Sequence, residues 1–174
     1  MKVDSNINII LVGPMGSGKT TVGRKLSERL KKDFYDSDHE IINRTGVSID
    51  HIFEIEGESG FRERETEILK NLCSMKNIII ATGGGVVLSL ENRDLMKVSA
   101  MVIYLSSSIE QILRRTSKSK TRPLLERSKD RRKTISDIIE AREGFYQDVA
   151  SVTINTNEKK LTEVIEEIVN NIET

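Results

Sequence analysis

A chain of 174 residues and 19.7 kDa suits a single domain, spanning residues 1–174, that buries about two-thirds of its unfolded surface. Its 27 basic and 27 acidic side chains cancel, which argues against bulk electrostatic attraction to nucleic acid or anionic membrane. One cysteine, Cys73, leaves no internal disulfide and no Cys-based zinc centre, and the apolar runs at 9–12 and 78–81 are strand-sized rather than membrane-spanning, so a soluble cytoplasmic monomer is expected.

Short β-branched runs alternate with stretches of helical spacing. Strands are predicted at residues 7–12, 34–37, 77–82, 101–105 and 151–155, and helices at 20–31, 58–72, 91–97, 109–116, 135–149 and 162–172. In the last helix Val164, Ile165, Ile168, Val169 and Ile172 fall on one face, opposite Glu163, Glu166 and Glu167. Strands separated by helices make βαβ units, and hence a parallel sheet covered on both faces.

After the first strand comes GPMGSGKT at 13–20, which satisfies the pattern Gly-x4-Gly-Lys-Thr. Gly13, Gly16 and Gly18 permit backbone conformations that let successive N–H groups turn inward around an anion, and the following helix adds its N-terminal dipole. Lys19 can bridge the β- and γ-phosphates of a nucleoside triphosphate, and the Thr20 hydroxyl can ligate magnesium. The loop serves switches, motors and small-molecule kinases alike. Neither the NKxD nor the DxxG string of guanine-specific switches occurs, and the chain is short for a mechanical ATPase, which leaves a small-molecule or nucleotide kinase.

Four later features bear on the acceptor. FYDSD (34–38) ends the second strand, and carboxylates at i and i+2 of a strand point the same way, so Asp36 and Asp38 can share one site; the plainer reading is a polar strand-to-helix cap. In GFRERE (60–65), Arg62 is within helical reach of Glu58 and Glu65, as a surface pair or as an arginine held for a substrate anion. The glycines of ATGGGV (81–86) fit either close approach of a ligand to backbone N–H groups or a sharp turn. Arg142 and Arg122 are isolated arginines that spacing alone leaves as solvated residues. Residues 114–133 carry ten Lys or Arg and two acids, either a solvated loop and helix or a cationic flap over phosphates.

The ordered set GPMGSGKT, FYDSD, RTGVSIDHIFEIEGESGFRERE, ATGGG, TRPLL, AREGFY and INTNEKK resembles the shikimate kinase family over nearly the whole chain, from about residue 8 to 172. The resemblance implies an α/β fold: a P-loop NTPase-like three-layer sandwich with a five-stranded parallel sheet, like the nucleoside-monophosphate kinases. It also implies a substrate-binding segment near 33–62 and a lid near 113–127. The implied reaction is ATP- and Mg2+-dependent phosphorylation of the 3-hydroxyl of shikimate, on the way to chorismate and the aromatic amino acids. By match of motif, Asp38 would bind the ring hydroxyls and orient or deprotonate the nucleophile, and Arg62 and Arg142 would clamp the carboxylate. Gly84 would offer a backbone N–H, and Asp36 would sit near the magnesium. Gly16, Ser17, Gly18, Lys19, Thr20 and Thr21 would hold the nucleotide phosphates, Arg122 would reach them from the lid, and Arg115 and Lys159 would lie near the adenine.

The sequence departs from some relatives at Gln147 and Asp148, and it lacks a proline in the adenine loop. Both departures are expected to touch ATP affinity or lid behaviour rather than reaction type. His39 and His51 match no catalytic position and are expected to be structural or exposed. The alternatives are a gluconate or nucleoside-monophosphate kinase, which shares the loop and a lid, and a non-catalytic ATP-binding protein.

Overall fold

Five consecutive buried residues, Asn8–Val12, form β1 at the centre of the sheet. A strand covered on both faces reads as a continuous apolar run, and IILV, after Asn8, is one. The computed structural model describes residue 4 and residues 6–117 and 129–174; Arg122 and residues 118–127 of the expected lid lie outside the described residues. β1 pairs in parallel with β3 (Ile78–Ala81) on one side and β4 (Ala100–Ser106) on the other, with β2 (Asp33–Asp36) and β5 (Val152–Asn155) at the edges. Among the described residues the order is β2-β3-β1-β4-β5, the five-stranded parallel sheet expected from the sequence.

The period-2 alternation of side chains splits the core in two. Ile9 and Leu11 of β1, with Ile79, Ile103 and Leu105, meet α1 (Lys19–Leu30) and the C-terminal α7 (Leu161–Glu173) through Val22, Leu26, Ile165 and Ile168. Ile10 and Val12 face the other way, with Ile80, Val102 and Tyr104. There they meet α2 (Ser37–Thr45), α3 (Ile49–Cys73), α4 (Leu90–Ser99) and α6 (Arg131–Val149) through Ile41, Leu69, Met96 and Tyr146. A smaller cluster seats α5 (Ile109–Thr116) on α6 through Ile112 and Ile135. Cys73 is buried at the end of α3.

The predicted strands and helices sit within a few residues of the observed ones. α2 and the first half of α3 were not anticipated. Asp36 caps α2 by accepting from the His39 N–H, and Gly46 (φ 72) closes it. Ser48 caps α3 through the His51 N–H, and Gly57 (φ 72, ψ −178) breaks α3 into two segments. Phe53 and Phe61 pack across that break with ring centroids 4.8 Å apart. The two histidines thus contribute backbone groups to caps while their side chains are exposed.

Candidate active site

The C-terminal ends of β1, β2 and β3 converge, which is where open parallel sheets place their ligands. After β1 the loop from Gly13 turns into α1. Gly13 has φ 151, and a Cβ there would lie 2.5 Å from the Leu105 carbonyl oxygen, so the chain can pass only as glycine. Gly18 (φ 94) is the N-cap of α1. Lys19 is buried, and its ammonium donates to the carbonyls of Gly13 (2.7 Å) and Pro14 (2.9 Å), across the mouth of the loop. Ser17 is buried within the loop, with its backbone N–H on Pro14 O at 3.2 Å. A cavity of ≈ 270 Å³ opens over this loop. Gly16, Gly18, Lys19, Thr20 and Thr21 line it from below, and Asp36, Asp38, Gly84 and Arg115 from the sides. Thr82 and Met15, which the sequence did not single out, complete part of the wall.

Asp36 and Asp38 do share this cavity, but not as neighbours on a strand. Asp36 ends β2 and caps α2, while Asp38 lies in the first turn of α2. A cap and a helical turn, not the strand alternation expected from the sequence, bring the two carboxylates together. Asp36 accepts from the Thr20 hydroxyl (Oγ1 to Oδ2, 2.7 Å) as well as from the His39 N–H. Thr20 and Asp36 are hard oxygen donors of the kind that fits magnesium held jointly by protein, phosphate and water. Among the described residues no group of three or more His, Cys, Asp or Glu could hold a metal ion.

The triple glycine belongs to close packing rather than to unusual torsions, since none of the three has positive φ. A Cβ on Gly83 would come within 3.0 Å of both Asp38 Oδ1 and Glu65 Oε2. On Gly85 it would strike the Arg62 guanidinium at 2.4 Å. On Gly84 it would lie 3.5 Å from Arg142 Nη1, Gly13 O and Met15 N alike. The phosphate loop and Arg142 thus both close on Gly84. Arg62 lies in the second segment of α3, where Nη1 donates to Glu65 Oε1 at 2.9 Å and Nη2 reaches Glu58 Oε1 at 3.4 Å. Its guanidinium also sits 5.2 Å from the centre of the Phe61 ring. Arg142 is buried on α6, beside Tyr146, whose hydroxyl donates to the Gly84 carbonyl at 2.6 Å.

Of the two expected adenine neighbours, Arg115 lines the cavity and Lys159 does not. Arg115 extends over the loop and donates to Gly16 O at 2.9 Å. Lys159, in the loop after β5, has its ammonium on Glu167 Oε2 at 2.5 Å and does not line the cavity. The residues that sequence reasoning passed over include Tyr146 itself. Its signal was present: a tyrosine one turn beyond Arg142 on the same helix face.

Glu65 is not a surface partner of Arg62. It is 1% exposed, and burial pushes its carboxyl up to about 7, against the opposing pull of Arg62 and with a further push from Asp38. A carboxyl whose folded pKa exceeds its unfolded value of 4.5 binds more protons folded than unfolded between those limits. The stabilisation is fully present below about pH 4.5 and is lost as the pH rises through about 7. Glu65→Gln cannot ionise, so parent stability is expected to fall relative to the variant between about pH 5 and about pH 8. Urea midpoints at both pH values measure this, and a pH-independent difference would show Glu65 ionised in the folded protein throughout.

The family model described as Shikimate kinase matches residues 15–173. The chain is 54% identical over 152 residues to a shikimate kinase of Nitrosospira multiformis, covering 87% of this chain and 77% of that one. With a Haemophilus influenzae shikimate kinase it shares 43% identity over 166 residues, 95% of this chain and 92% of the relative. The solved structure of a shikimate kinase from Acinetobacter baumannii in complex with shikimate superposes with a TM-score of 0.92 at 45% identity, covering 95% and 92% of the two chains. Sequence, fold and the pairing of a phosphate loop with two arginines at a glycine turn agree: the chain belongs to the shikimate kinase family.

Proposed function

We propose that this chain transfers the γ-phosphoryl group of ATP to the 3-hydroxyl of shikimate, giving shikimate 3-phosphate and ADP, in the route to chorismate and the aromatic amino acids. Gly84 carries the reading, because its backbone lies against the phosphate loop and Arg142 at once. That contact gathers an anion-binding loop and a pair of arginines around one glycine turn. A hydroxylated carboxylic acid suits such a receptor. Arginine grips a carboxylate with two parallel hydrogen bonds, and Asp38, across Gly83, accepts from ring hydroxyls.

The loop from Gly16 to Thr21 and the Lys19 ammonium hold the β- and γ-phosphates. Thr20 would hold a magnesium ion brought with the nucleotide, which would supply charge neutralisation for the transferring group. Asp36 fixes the Thr20 hydroxyl. Asp38 orients the acceptor hydroxyl and takes its proton as the new O–P bond forms and the bond to ADP breaks. The transition state is loose, so positioning and charge neutralisation supply most of the rate and the proton is taken late. Arg142 and Arg62 hold the carboxylate, Gly84 offers its N–H, and Arg115 covers the nucleotide. From the sequence alone we assign Arg122 to the phosphates, as part of a lid at 113–127, and Lys159 to the adenine side.

The chain acts on small molecules as a cytoplasmic monomer, without nucleic acid or membrane. Its balanced charge supports this, as does the lack, among the described residues, of a helix long and apolar enough to cross a membrane. A coupled ADP-release assay with shikimate, gluconate and nucleoside monophosphates as competing acceptors tests the reading. Shikimate is expected to dominate, and preferential turnover of either rival would overturn the assignment.

A further inference from the structure

Tyr146 heads the fully enclosed side chains by volume, yet its polar end faces the acceptor side of the site rather than apolar core. The ring stacks on Tyr104, with centroids 5.1 Å apart and planes 23° from parallel, and the Tyr104 hydroxyl is fixed on Glu143 Oε2 at 2.5 Å. The phenol oxygen of Tyr146 donates to Gly84 O at 2.6 Å. Burial pushes that phenol up to about 12, against the charge and the hydrogen bond of Arg142. It is therefore a neutral donor at any physiological pH. Phenylalanine would fill the same space, so the hydroxyl has a purpose that packing does not explain.

Residues 83–85 have no side chains with which to lock their own torsions, and flexible glycine is the most mobile choice for a turn. Because the peptide unit is planar, holding the Gly84 carbonyl also sets the direction of the Gly85 N–H and the pose of the turn. Each of these glycines abuts a group assigned to the acceptor: Asp38 at Gly83, Arg142 at Gly84, Arg62 at Gly85. One hydroxyl, meeting Arg142 and Gly84 together, ties the arginine to the turn.

We propose that Tyr146 is a positioning residue for the acceptor: its hydroxyl holds the glycine turn and Arg142 in register to receive the acceptor's carboxylate. The proposal rests on the shikimate kinase reading above. It assigns to Tyr146 no contact with substrate and no part in the phosphoryl transfer.

Tyr146→Phe removes the oxygen and keeps the stacked ring. The KM for shikimate is expected to rise about three- to tenfold, the loss of one buried hydrogen bond, with kcat and the KM for ATP within about twofold of the parent. Preference for shikimate over its uncharged methyl ester should fall in step, because the disturbance lies at the carboxylate clamp. Tyr104→Phe serves as the stability control: it loses a buried hydroxyl contact on the same stack and should leave the KM for shikimate unchanged. A Tyr146→Phe protein with a lowered melting temperature but parental KM and ester preference would overturn the proposal, leaving the hydroxyl a core-stabilising group. If Tyr146→Phe does not fold, the parent labelled with 3-fluorotyrosine decides by 19F NMR. The Tyr146 resonance, assigned with Tyr35→Phe and Tyr104→Phe, should move with shikimate and stay put with ATP, and a resonance indifferent to shikimate overturns the idea. Failure of the functional reading looks different: the parent itself then does not turn over shikimate, and the same KM comparison is made on the acceptor it does use.

Discussion

Asp38→Asn is expected to lower kcat by about two to four orders of magnitude while the affinity for ATP stays within about twofold of the parent. Asparagine keeps the size of the side chain and an acceptor oxygen, so the shikimate hydroxyl can still be found. It loses the negative charge that draws the proton away and the basicity to hold it. Asp38 lies in the first turn of α2 beside Gly83, and the substitution leaves the loop glycines, Lys19 and Thr20 intact, so nucleotide binding should be spared. Single-turnover kinetics with saturating shikimate separate the chemical step from binding. Substantial residual turnover would remove Asp38 from the base role and leave it orienting the hydroxyl alone.

Arg62→Ala should raise the KM for shikimate about a hundredfold, the usual scale for truncating one member of a buried charged contact. Two events combine. The acceptor carboxylate loses a bidentate donor, and Glu65 loses the guanidinium 2.9 Å from its Oε1. Glu65 is buried and already has its carboxyl raised, so on losing its cation it is expected to take up a proton. Arg62→Lys should not rescue, because an ammonium cannot span Glu65, Glu58 and a substrate carboxylate with a planar fork. Gly85→Ala probes the same point from the other side. The new methyl would sit 2.4 Å from the guanidinium nitrogens, at the far end of a flexible side chain, so Arg62 moves and the fold survives. A raised KM for shikimate at nearly parental melting temperature is expected, and an unchanged KM in both variants would dissolve the clamp.

The strands were legible because β1 and β3 are buried on both faces and so carry unbroken apolar runs. The phosphate loop was legible because its chemistry is local: eight consecutive residues supply the glycines, the lysine and the threonine. α2 was not, because its buried face rests on Ile41 while the adjacent Ile42 is exposed, which leaves no helical stripe to read. The caps at Asp36 and Ser48 and the closing Gly46 were the signals available. Glu65 looked like half of a surface pair because spacing along one helix says nothing of what covers that face. The triple glycine suggested a ligand, but part of its cause is the approach of Asp38, Glu65 and Arg62 from segments distant in sequence. The acceptor side is assembled from β2, α2, α3, the turn after β3, and α6, and contacts of that range leave no periodicity in any one stretch.

The break in α3 also settles how far the chain can reach. Straight, its 25 residues would make a rod about 37 Å long. The turn at Gly57 folds the leading segment back, so that Ile52 is 3% exposed in the same core as Ile41 and Phe61. One residue without a side chain therefore lets a single stretch of chain pack Ile52 into the core on one side of the bend and carry Arg62 on the other. The direction in which Arg62 is presented follows from a backbone angle at position 57, more than a helical turn earlier in the chain.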